Sequence, residues 1–519
     1  MPGLPDTIRR RVGQEIGLVR KDHGGRLRVC LVYPNLYSVG MSSLGFQAVY
    51  HLLNSHSGVV CERAFVPEAE DLADLQRTDS PIVSYESQTP INQFDVIAFS
   101  VSYELDYVNV SRVLRLAKLP VMSAERGEEQ PLVMAGGAAV SINPDPLADL
   151  VEVLVLGEAE EVIGELVGAL SWEKGAALRA CGGIEGVYLP TRDETAGVGT
   201  PALQRRRHVR DLEAWPTHSR LLTKETEFGE LFLIEVSRGC ARGCKFCVTP
   251  SCYCPLRWRF AESVLRSARE GLEYRKAIGL VGAAVSDHPE IDEIARRIVG
   301  MGARLSVSSL RADSVSDTLI EALARSGARS ITIGPEAGSE RLREAIGKGI
   351  TDAQILDGLR RASAAGIREA KLYFMVGLPG ETEEDLGAIP ELVRRCLKSA
   401  GLRRVTVAAG AFVPKPDTPY EREGMLSAGE LSRRLRIVRE AFRRERRVRV
   451  SLESANWSVI EGMLSRGDRR LGAVIAMAEE GGGNLAAWRR ALKEAGVTAE
   501  EYTGPRRETN RPRDAIKRG

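Results

Sequence analysis

The sequence predicts an α/β protein with two units of parallel strands and a small helical C-terminal region. In the N-terminal third, short apolar strands alternate with helical stretches, and from Leu231 onwards six further strands follow in the same alternation. Such alternation favours parallel sheets, because each crossover helix returns the chain to the edge where the previous strand began. We therefore predict a doubly wound, Rossmann-like N-terminal sheet, followed by a partial (β/α)6 barrel.

These patterns divide the 519 residues into five predicted parts. They are an N-terminal extension (1–27), the Rossmann-like domain (28–170), a linker (171–228), the partial barrel (229–425) and a helical C-terminal domain (426–519). The linker has no clear period and contains a predicted short hairpin at Gly186–Leu189. The polar tail after Glu501 is expected to be extended.

Composition limits the classes of partner. The 72 basic residues nearly balance 70 acidic ones, so no global field demands a nucleic acid or a membrane. The N-terminus has no apolar core that would make it a signal peptide, and no apolar run is long enough to span a bilayer. Nine cysteines without an export signal predict reduced thiols and a cytoplasmic location. Nine arginines between Leu431 and Val450 favour a helix with a solvated basic face, the alternative being a patch for a nucleic acid or an acidic partner.

The predicted strands of the N-terminal unit end in turns that could bind a ligand. Strands are predicted at Val29–Tyr33, Asp95–Ser100, Pro131–Ala135 and Val153–Leu156. Ligands of doubly wound sheets bind at the carboxyl ends of the strands. The turn after the first strand lacks the G-x-G-x-x-G of a dinucleotide site.

The second unit opens with the most specific motif of the chain. Cys240, Cys244 and Cys247 form a C-x-x-x-C-x-x-C run directly after the strand that begins at Leu231. Three thiolates can hold three irons of a 4Fe-4S cluster, which leaves the fourth iron open to a ligand that is not protein. A zinc site is the alternative, since Cys252 and Cys254 follow closely, but it would need a fourth ligand at matching distance.

The cysteine run, with Phe246 before its last member, resembles the signature of radical S-adenosylmethionine (SAM) enzymes. In that family SAM chelates the open iron, and one electron from an external donor cleaves it to a 5′-deoxyadenosyl radical. Further motifs follow the predicted barrel strands. The resemblance implies that Arg311 and Glu336 hold the polar parts of SAM, and that Phe246 and the segment from Met375 to Gly377 line its adenine. Taken alone, either charged residue would be read as a surface or paired charge.

The N-terminal unit is similar to cobalamin-binding domains. Those carry an Asp-x-His-x-x-Gly turn after the first strand, a Ser-rich turn after a middle strand and a Gly-Gly after a later one. The residues at the equivalent places are Tyr37, Gly40, Ser100, Ser102, Gly136 and Gly137. Tyr37 replaces the histidine that ligates cobalt, so we expect no histidine on the metal and Tyr37 facing the lower side of the corrin. His51 and His56 are interpreted as ordinary helix residues, and a sheet without any ligand is the alternative.

Together these resemblances imply a cobalamin-dependent radical SAM enzyme with a 4Fe-4S cluster, SAM and cobalamin as cofactors. Its expected reaction is C-methylation, in which methylcobalamin gives its methyl group to an unactivated carbon. The substrate is unknown, and a protein or peptide side chain, such as one of methyl-coenzyme M reductase, is one candidate. The alternatives are a cobalamin-dependent cyclase or rearrangement enzyme, a radical SAM methylthiotransferase or other tRNA-modifying enzyme, and a non-catalytic cobalamin or redox sensor.

Overall fold

A computed structural model describes residues 3–170, 173–190 and 205–506 of the chain. The predicted class is confirmed: a doubly wound sheet, a barrel of parallel strands and a helical C-terminal part are all present. Most of the predicted extended tail falls on residues 507–519, which lie outside the described residues.

The N-terminal sheet has six strands in the order β2-β1-β3-β4-β5-β6. They are β1 (Leu27–Tyr33), β2 (Val59–Phe65), β3 (Val96–Ser100), β4 (Leu132–Gly136), β5 (Val153–Val155) and β6 (Val187–Tyr188). The first five are parallel. Strand β6 runs antiparallel to β5, so the hairpin predicted near residue 186 is wrong: the strand pairs with a distant partner.

Strand β2 was missed in the sequence because Glu62 and Arg63 interrupt its apolar run. Both side chains are nevertheless buried, and Arg63 is fully enclosed. The guanidinium of Arg63 pairs with Glu15 at 2.7 Å and with Glu86 at 2.6 Å. A charge in a strand interior is therefore tolerated here because two carboxylates from other segments neutralise it.

Helices connect these strands on both faces of the sheet. In the N-terminal half they span Leu4–Val12, Tyr37–Gly40, Leu44–Ser55, Ala69–Thr78, Tyr107–Leu116, Ala138–Ile142, Glu160–Ala169 and Lys174–Cys181. Strand β2 pairs with one side of β1, and β3 pairs with the other side. The order of the strands reverses between β1 and β3, and such a switch point forms a crevice at the carboxyl edge of the sheet.

The barrel consists of seven parallel strands, accompanied by a small hairpin. The ranges are β7 (Phe232–Glu235), the hairpin β8 (Ser237–Arg238) and β9 (Arg257–Trp258), then β10 (Ala277–Val281), β11 (Arg304–Val307), β12 (Ser330–Glu336), β13 (Glu369–Val376), β14 (Arg404–Ala411) and β15 (Val448–Leu452). The seven parallel strands form two sheets, one of β7, β10 and β11 and one of β12 to β15, while β8 and β9 pair only with each other. A single bridge between Leu310 and Ile333 links the two sheets.

All six predicted barrel strands are present, and β15 is an addition. It lies in the region that was expected to be helical, and it pairs with β14 in parallel. Its apolar residues Val448, Val450 and Leu452 alternate with polar ones and pack on the barrel core. Because many arginines surround these residues, the alternation was not recognised as a strand in the sequence.

The helices of the second half cover the outside of the barrel and the C-terminal end. They span Thr249–Cys252, Ala261–Leu272, Ile291–Gly300, Asp317–Arg325, Glu340–Ala345, Asp352–Ala364, Glu383–Ser399, Ala428–Ala441, Ala455–Arg466, Leu471–Glu480, Leu485–Glu494 and Ala499–Thr503. Residues 460–502 contribute apolar side chains to the core of the N-terminal sheet. No helix among the described residues is long and apolar enough to cross a membrane.

The buried pairing of Arg63 gives a test of the fold. Replacing Glu15 by Ala leaves Arg63 with one carboxylate, and we expect the apparent free energy of unfolding to fall by about 3–5 kcal/mol. Asp6→Ala, which removes an exposed partner of Arg9, should change it by about 0–1 kcal/mol. Urea titration followed by circular dichroism measures both. Equal stability of the two variants would contradict the structural role of the pair.

Candidate active site

The three cysteines lie in the loop 239–256, which joins β8 to β9 at the carboxyl end of β7. Cys240, Cys244 and Cys247 are all half-buried, with free thiols. Gly239 precedes them at φ +90°, where a Cβ would lie 2.3 Å from the carbonyl oxygen of Tyr253. Only glycine fits this close approach, so the start of the loop is fixed against its own end.

Contacts with residues 345–347, which follow β12, hold the other side of the loop. The backbone N–H of Lys245 donates to the carbonyl of Ile346 at 2.9 Å, and its Nζ donates to that of Ala345 at 2.7 Å. Gly347 has φ +71°, and a Cβ there would meet the oxygen of Gly243 at 2.5 Å. The cysteine loop is therefore attached to the segment after β12.

The surroundings of the thiols suit a metal–sulfur centre. Burial raises the pKa of the Cys244 thiol, while the charges of Lys348 and Arg311 act in the opposite direction and favour a thiolate. The N–H of Arg242 donates to Cys240 Sγ at 3.4 Å. Among the described residues, no three histidine, cysteine or carboxylate side chains form a group for a single metal ion. A donor set of three thiols on one loop, each free to reach a different iron, fits a 4Fe-4S cluster.

Glu336 ends β12 in a strained backbone conformation. Its φ is +69°, and the register with β13 shifts between Ile333 and Glu336. Its carboxylate accepts from Lys348 Nζ at 3.1 Å. A left-handed conformation at a non-glycine residue costs about 1–3 kcal/mol and is concentrated at functional sites. The carboxylate thus lies beside the cysteine loop, where the sequence analysis expected it.

Arg311 also lies near the cysteine loop, but its guanidinium already has partners. Nε and Nη2 donate to Asp313 at 3.0 Å each, and Nη2 also donates to the carbonyl of Lys348 at 3.1 Å. Asp313 further contacts Arg242, the neighbour of the cysteines, at 3.4 Å. The expected SAM-binding arginine is therefore oriented by the carboxylate of Asp313, two residues further along the chain.

Two of the residues predicted to line the adenine lie close together in the structure. Phe246 and Met375 pack against one small hydrophobic cluster, distinct from the barrel core. Its other members are Ala337, Leu342, Ala345, Ile346, Leu378, Phe412 and Tyr420. Gly377 has φ +82°, and its N–H donates to Glu381, as does that of Leu378 at 3.0 Å. Glu381 therefore fixes the turn and occupies the backbone donor of Gly377.

Four of the predicted cobalamin residues share one edge of the N-terminal sheet. Ser100 and Gly136 are paired neighbours at the ends of β3 and β4. Gly137 follows at φ +112°, where a Cβ would lie 2.4 Å from the oxygen of Val101. Ser102 is exposed. Small side chains at adjacent strand ends leave room for a large flat ligand, so this edge fits the cofactor.

Tyr37 and Gly40 do not join that edge. Tyr37 is fully buried, its hydroxyl donates to Glu15 at 2.7 Å, and its ring stacks on Tyr85 at 5.3 Å. A Cβ on Gly40 would lie 2.6 Å from the ring of Phe65. The expectation that Tyr37 faces a corrin is wrong in this structure, because the N-terminal extension covers the tyrosine and uses its hydroxyl.

A different polar pair lies at the switch point. Asp106, after β3, accepts from Asn35 Nδ2, after β1, at 2.7 Å. Burial raises the pKa of Asp106 to about 7. Asp106 was not predicted as a site residue. Its position after the apolar strand β3 is the one feature of the sequence that indicates a place at this edge.

Ion pairs attach this edge to the hairpin that carries the cysteine loop. Glu158, just after β5, accepts from Arg257 at 2.6 Å and contacts Arg238 at 3.2 Å. Arg238 also pairs with Glu160 at 2.8 Å. All four side chains are largely buried. The carboxyl edge of the N-terminal sheet is thereby fixed next to the candidate cluster.

A second buried network, of hydrogen-bonded charged and polar side chains, lies at the same junction. Lys415, after β14, donates to Glu104 at 2.7 Å, to Glu461 at 2.8 Å and to Ser465 at 2.9 Å. Burial lowers the pKa of Lys415, but the two carboxylates outweigh it and raise the pKa overall. The three partners come from the N-terminal sheet edge and the helix Ala455–Arg466, so one ammonium joins all parts of the molecule.

Two family profiles match the halves of the chain. Residues 45–190 match the family described as radical SAM proteins, N-terminal, and residues 234–393 match the radical SAM superfamily. The two ranges together cover more than half of the chain. It is therefore a radical SAM protein, and the prediction from the cysteine run is confirmed.

Relatives by sequence carry little assigned activity. An uncharacterized protein of Methanocaldococcus jannaschii is 28% identical over 449 residues, which cover 85% of this chain and 89% of the relative. An uncharacterized methyltransferase of Pyrococcus horikoshii is 29% identical, over 52% of this chain and 60% of its own length. A tRNA-2-methylthio-N(6)-dimethylallyladenosine synthase of Chromohalobacter salexigens is 28% identical, over 43% and 52%.

Solved structures share the arrangement of domains. The radical SAM methyltransferase TsrM from Kitasatospora setae, with cobalamin and a 4Fe-4S cluster bound, has a TM-score of 0.52 at 15% identity, over 92% of this chain and 99% of that one. The cobalamin-dependent SAM radical enzyme OxsB has a TM-score of 0.50 at 14% identity, over 92% and 71%. The chain therefore shares its fold with TsrM and OxsB.

The cysteine assignment predicts a clear loss on mutation. Cys244→Ala should lose most of the iron and all cleavage of SAM after anaerobic reconstitution, because one of three iron ligands is gone. Exposed Cys254 lies in the same loop and is the matched control. Cys254→Ala should keep the parent's iron content and SAM cleavage. Full iron content in Cys244→Ala would contradict the assignment of Cys244 as an iron ligand.

The position of Glu336 predicts a selective effect on SAM. Glu336→Gln removes the charge that would pair with the SAM ammonium, and we expect SAM binding to weaken by about 1–3 kcal/mol. The cluster should form normally, since Glu336 is not an iron ligand. Equilibrium dialysis with labelled SAM and iron analysis measure the two properties. Unchanged affinity would show that the carboxylate does not contact SAM.

Proposed function

We propose that this protein is a cobalamin-dependent radical SAM methyltransferase that methylates an unactivated carbon. The observation that carries the proposal is the fixed junction between the cysteine loop and the carboxyl edge of the Rossmann-like sheet. The ion pairs of Glu158 with Arg238 and Arg257 fix the cysteine loop beside the carboxyl edge of the sheet, so a SAM site on the loop and a large-ligand site on the edge would lie side by side. A methyl transfer from one cofactor to a radical made by the other needs that proximity.

Different residues would bind the cluster, the ammonium of SAM and its adenine. Cys240, Cys244 and Cys247 would hold the cluster, and Glu336 would accept from the SAM ammonium. Phe246 and Met375 would enclose the adenine in the small apolar cluster. When bound, the cluster would supply the electron that cleaves SAM, and cobalamin would carry the methyl group.

The sheet edge supports cobalamin through its small residues rather than through a metal ligand. Ser100, Ser102, Gly136 and Gly137 would leave space for the corrin beside β3 and β4. Asn35 and Asp106, at the switch point, would lie beside the corrin. No histidine is assigned to the cobalt.

A methylthiotransferase is the second candidate, because several relatives by sequence are tRNA-modifying enzymes of that kind. Those enzymes hold a second cluster on three cysteines of the N-terminal domain. Here the first 170 residues contain only Cys30 and Cys61. Both are fully buried inside β1 and β2, away from the strand ends. This arrangement favours the cobalamin enzyme.

Iron content and corrin binding test the proposal together. The reconstituted chain should contain about four irons, whereas two clusters would require about eight. It should also bind hydroxocobalamin, seen as a shift of the corrin absorption bands, and form 5′-deoxyadenosine from SAM on reduction. About eight irons with no bound corrin would replace the proposal by the second candidate.

A matched pair of variants locates the corrin. Ser102→Trp places a large ring on the exposed edge and should weaken corrin binding by about tenfold or more. Tyr37→Phe alters a buried residue away from the edge and should bind as the parent does. The opposite order of affinities would show that the corrin lies near Tyr37 and that the edge is not its site.

A further inference from the structure

Polar residues of several strands lie on the interior side of the barrel. Interiors of complete (β/α)8 barrels are filled mainly by branched apolar side chains. Here the buried residues of β13 face outward to the helices, and the alternate residues Lys371, Tyr373 and Met375 face inward. Tyr373 is 38% exposed although it lies in the middle of a central strand. The interior, which we call the lumen, is therefore accessible to solvent.

Two basic side chains lie in one layer of the lumen. Lys371 is in register with Thr406 of β14, and Thr406 is in register with Arg449 of β15. Residues in register on neighbouring parallel strands point to the same side of the sheet. Thr332 of β12 extends the row beyond Lys371. Adjacent strands are about 4.8 Å apart, so the two cations start about 10 Å apart with a hydroxyl between them.

The two cations are not neutralised by the protein. Among the residues that the structure describes, neither Lys371 nor Arg449 forms an ion pair, although Arg404 below them pairs with Glu369 at 3.7 Å. The nearest group on Lys371 is the ring of Tyr373, 4.7 Å from Nζ to the ring centroid. Glu453, which directly follows β15 on the lumen side, lies at the opposite, SAM-facing end near Gly410.

The wall of the lumen opens beside this row. Strands β11 and β12 share only the bridge between Leu310 and Ile333. A cavity of about 300 Å³ lies between them and is lined in part by Ser306, Ser308 and Thr332. A volume of this size is sufficient for a small organic ligand.

From this layer we infer that the lumen binds a substrate with an anionic group, a carboxylate or a phosphate, held by Lys371 and Arg449 with Thr406 between them. The inference rests on the proposed function, since the other end of the substrate would meet the SAM site. Lys371 precedes Met375 by four residues of one strand, or about 13 Å. The reacting carbon would therefore lie about that far from the anionic group.

Binding of simple anions to the full chain tests this without knowledge of the substrate. Pyrophosphate and succinate are titrated separately by calorimetry, and one of them should bind at one site per chain. Lys371→Met and Arg449→Met should each weaken that binding by about tenfold or more, because each removes one charged partner. Lys371→Arg keeps the charge and should retain binding, which shows that the site is folded.

The controls separate this inference from the function it extends. Exposed Arg436 lies on the outer helix Ala428–Ala441, and Arg436→Met should bind the anion as the parent does. SAM cleavage and iron content should stay unchanged in the lumen variants. Equal losses in Arg436→Met and the lumen variants, or no loss in either lumen variant, would overturn the inference. Failure of the parent to cleave SAM would count against the proposed function alone.

Discussion

The buried ion pairs between Glu158 and the arginines Arg238 and Arg257 are the constraint on which the rest of the site depends. They join the end of a strand in one sheet to the two short strands that carry the cysteine loop. Buried charges of this kind add little net stability compared with apolar packing, but each pairs well with only one partner arrangement. Their value here is positional, because they fix the cysteine loop relative to the carboxyl edge of the N-terminal sheet.

The N-terminal extension changes the use of the sheet edge. Glu15 pairs with Arg63 and accepts from the hydroxyl of Tyr37, so a residue from a cofactor-binding turn becomes part of the core. The edge that remains accessible is the one with Ser102 and Gly137. The N-terminal extension thus covers the turn after β1 and leaves the ends of β3 and β4 open.

Charge is distributed unevenly along the barrel. Near the cysteine loop, every basic group discussed has a fixed partner: Arg311 has Asp313, and Lys348 has Glu336. Deeper in the lumen, Lys371 and Arg449 form no ion pair with any residue in the described part of the chain. Paired charges at the SAM end can orient a cofactor with little rearrangement, whereas unpaired ones are suited to a ligand that brings its own negative charge.

The sequence by itself determined the class of fold, six barrel strands and the three cysteines, because apolar alternation and ligand spacing are local properties. It also placed Phe246, Glu336 and Met375 near one another, since strand ends of a barrel meet at one face. Only the tertiary structure decided that Tyr37 is buried, that β15 joins the barrel and that Arg63 is neutralised by Glu15 and Glu86. Those outcomes depend on contacts between segments far apart in the chain, and a local pattern carries no information about which distant residue will neutralise a charge or cover a ring.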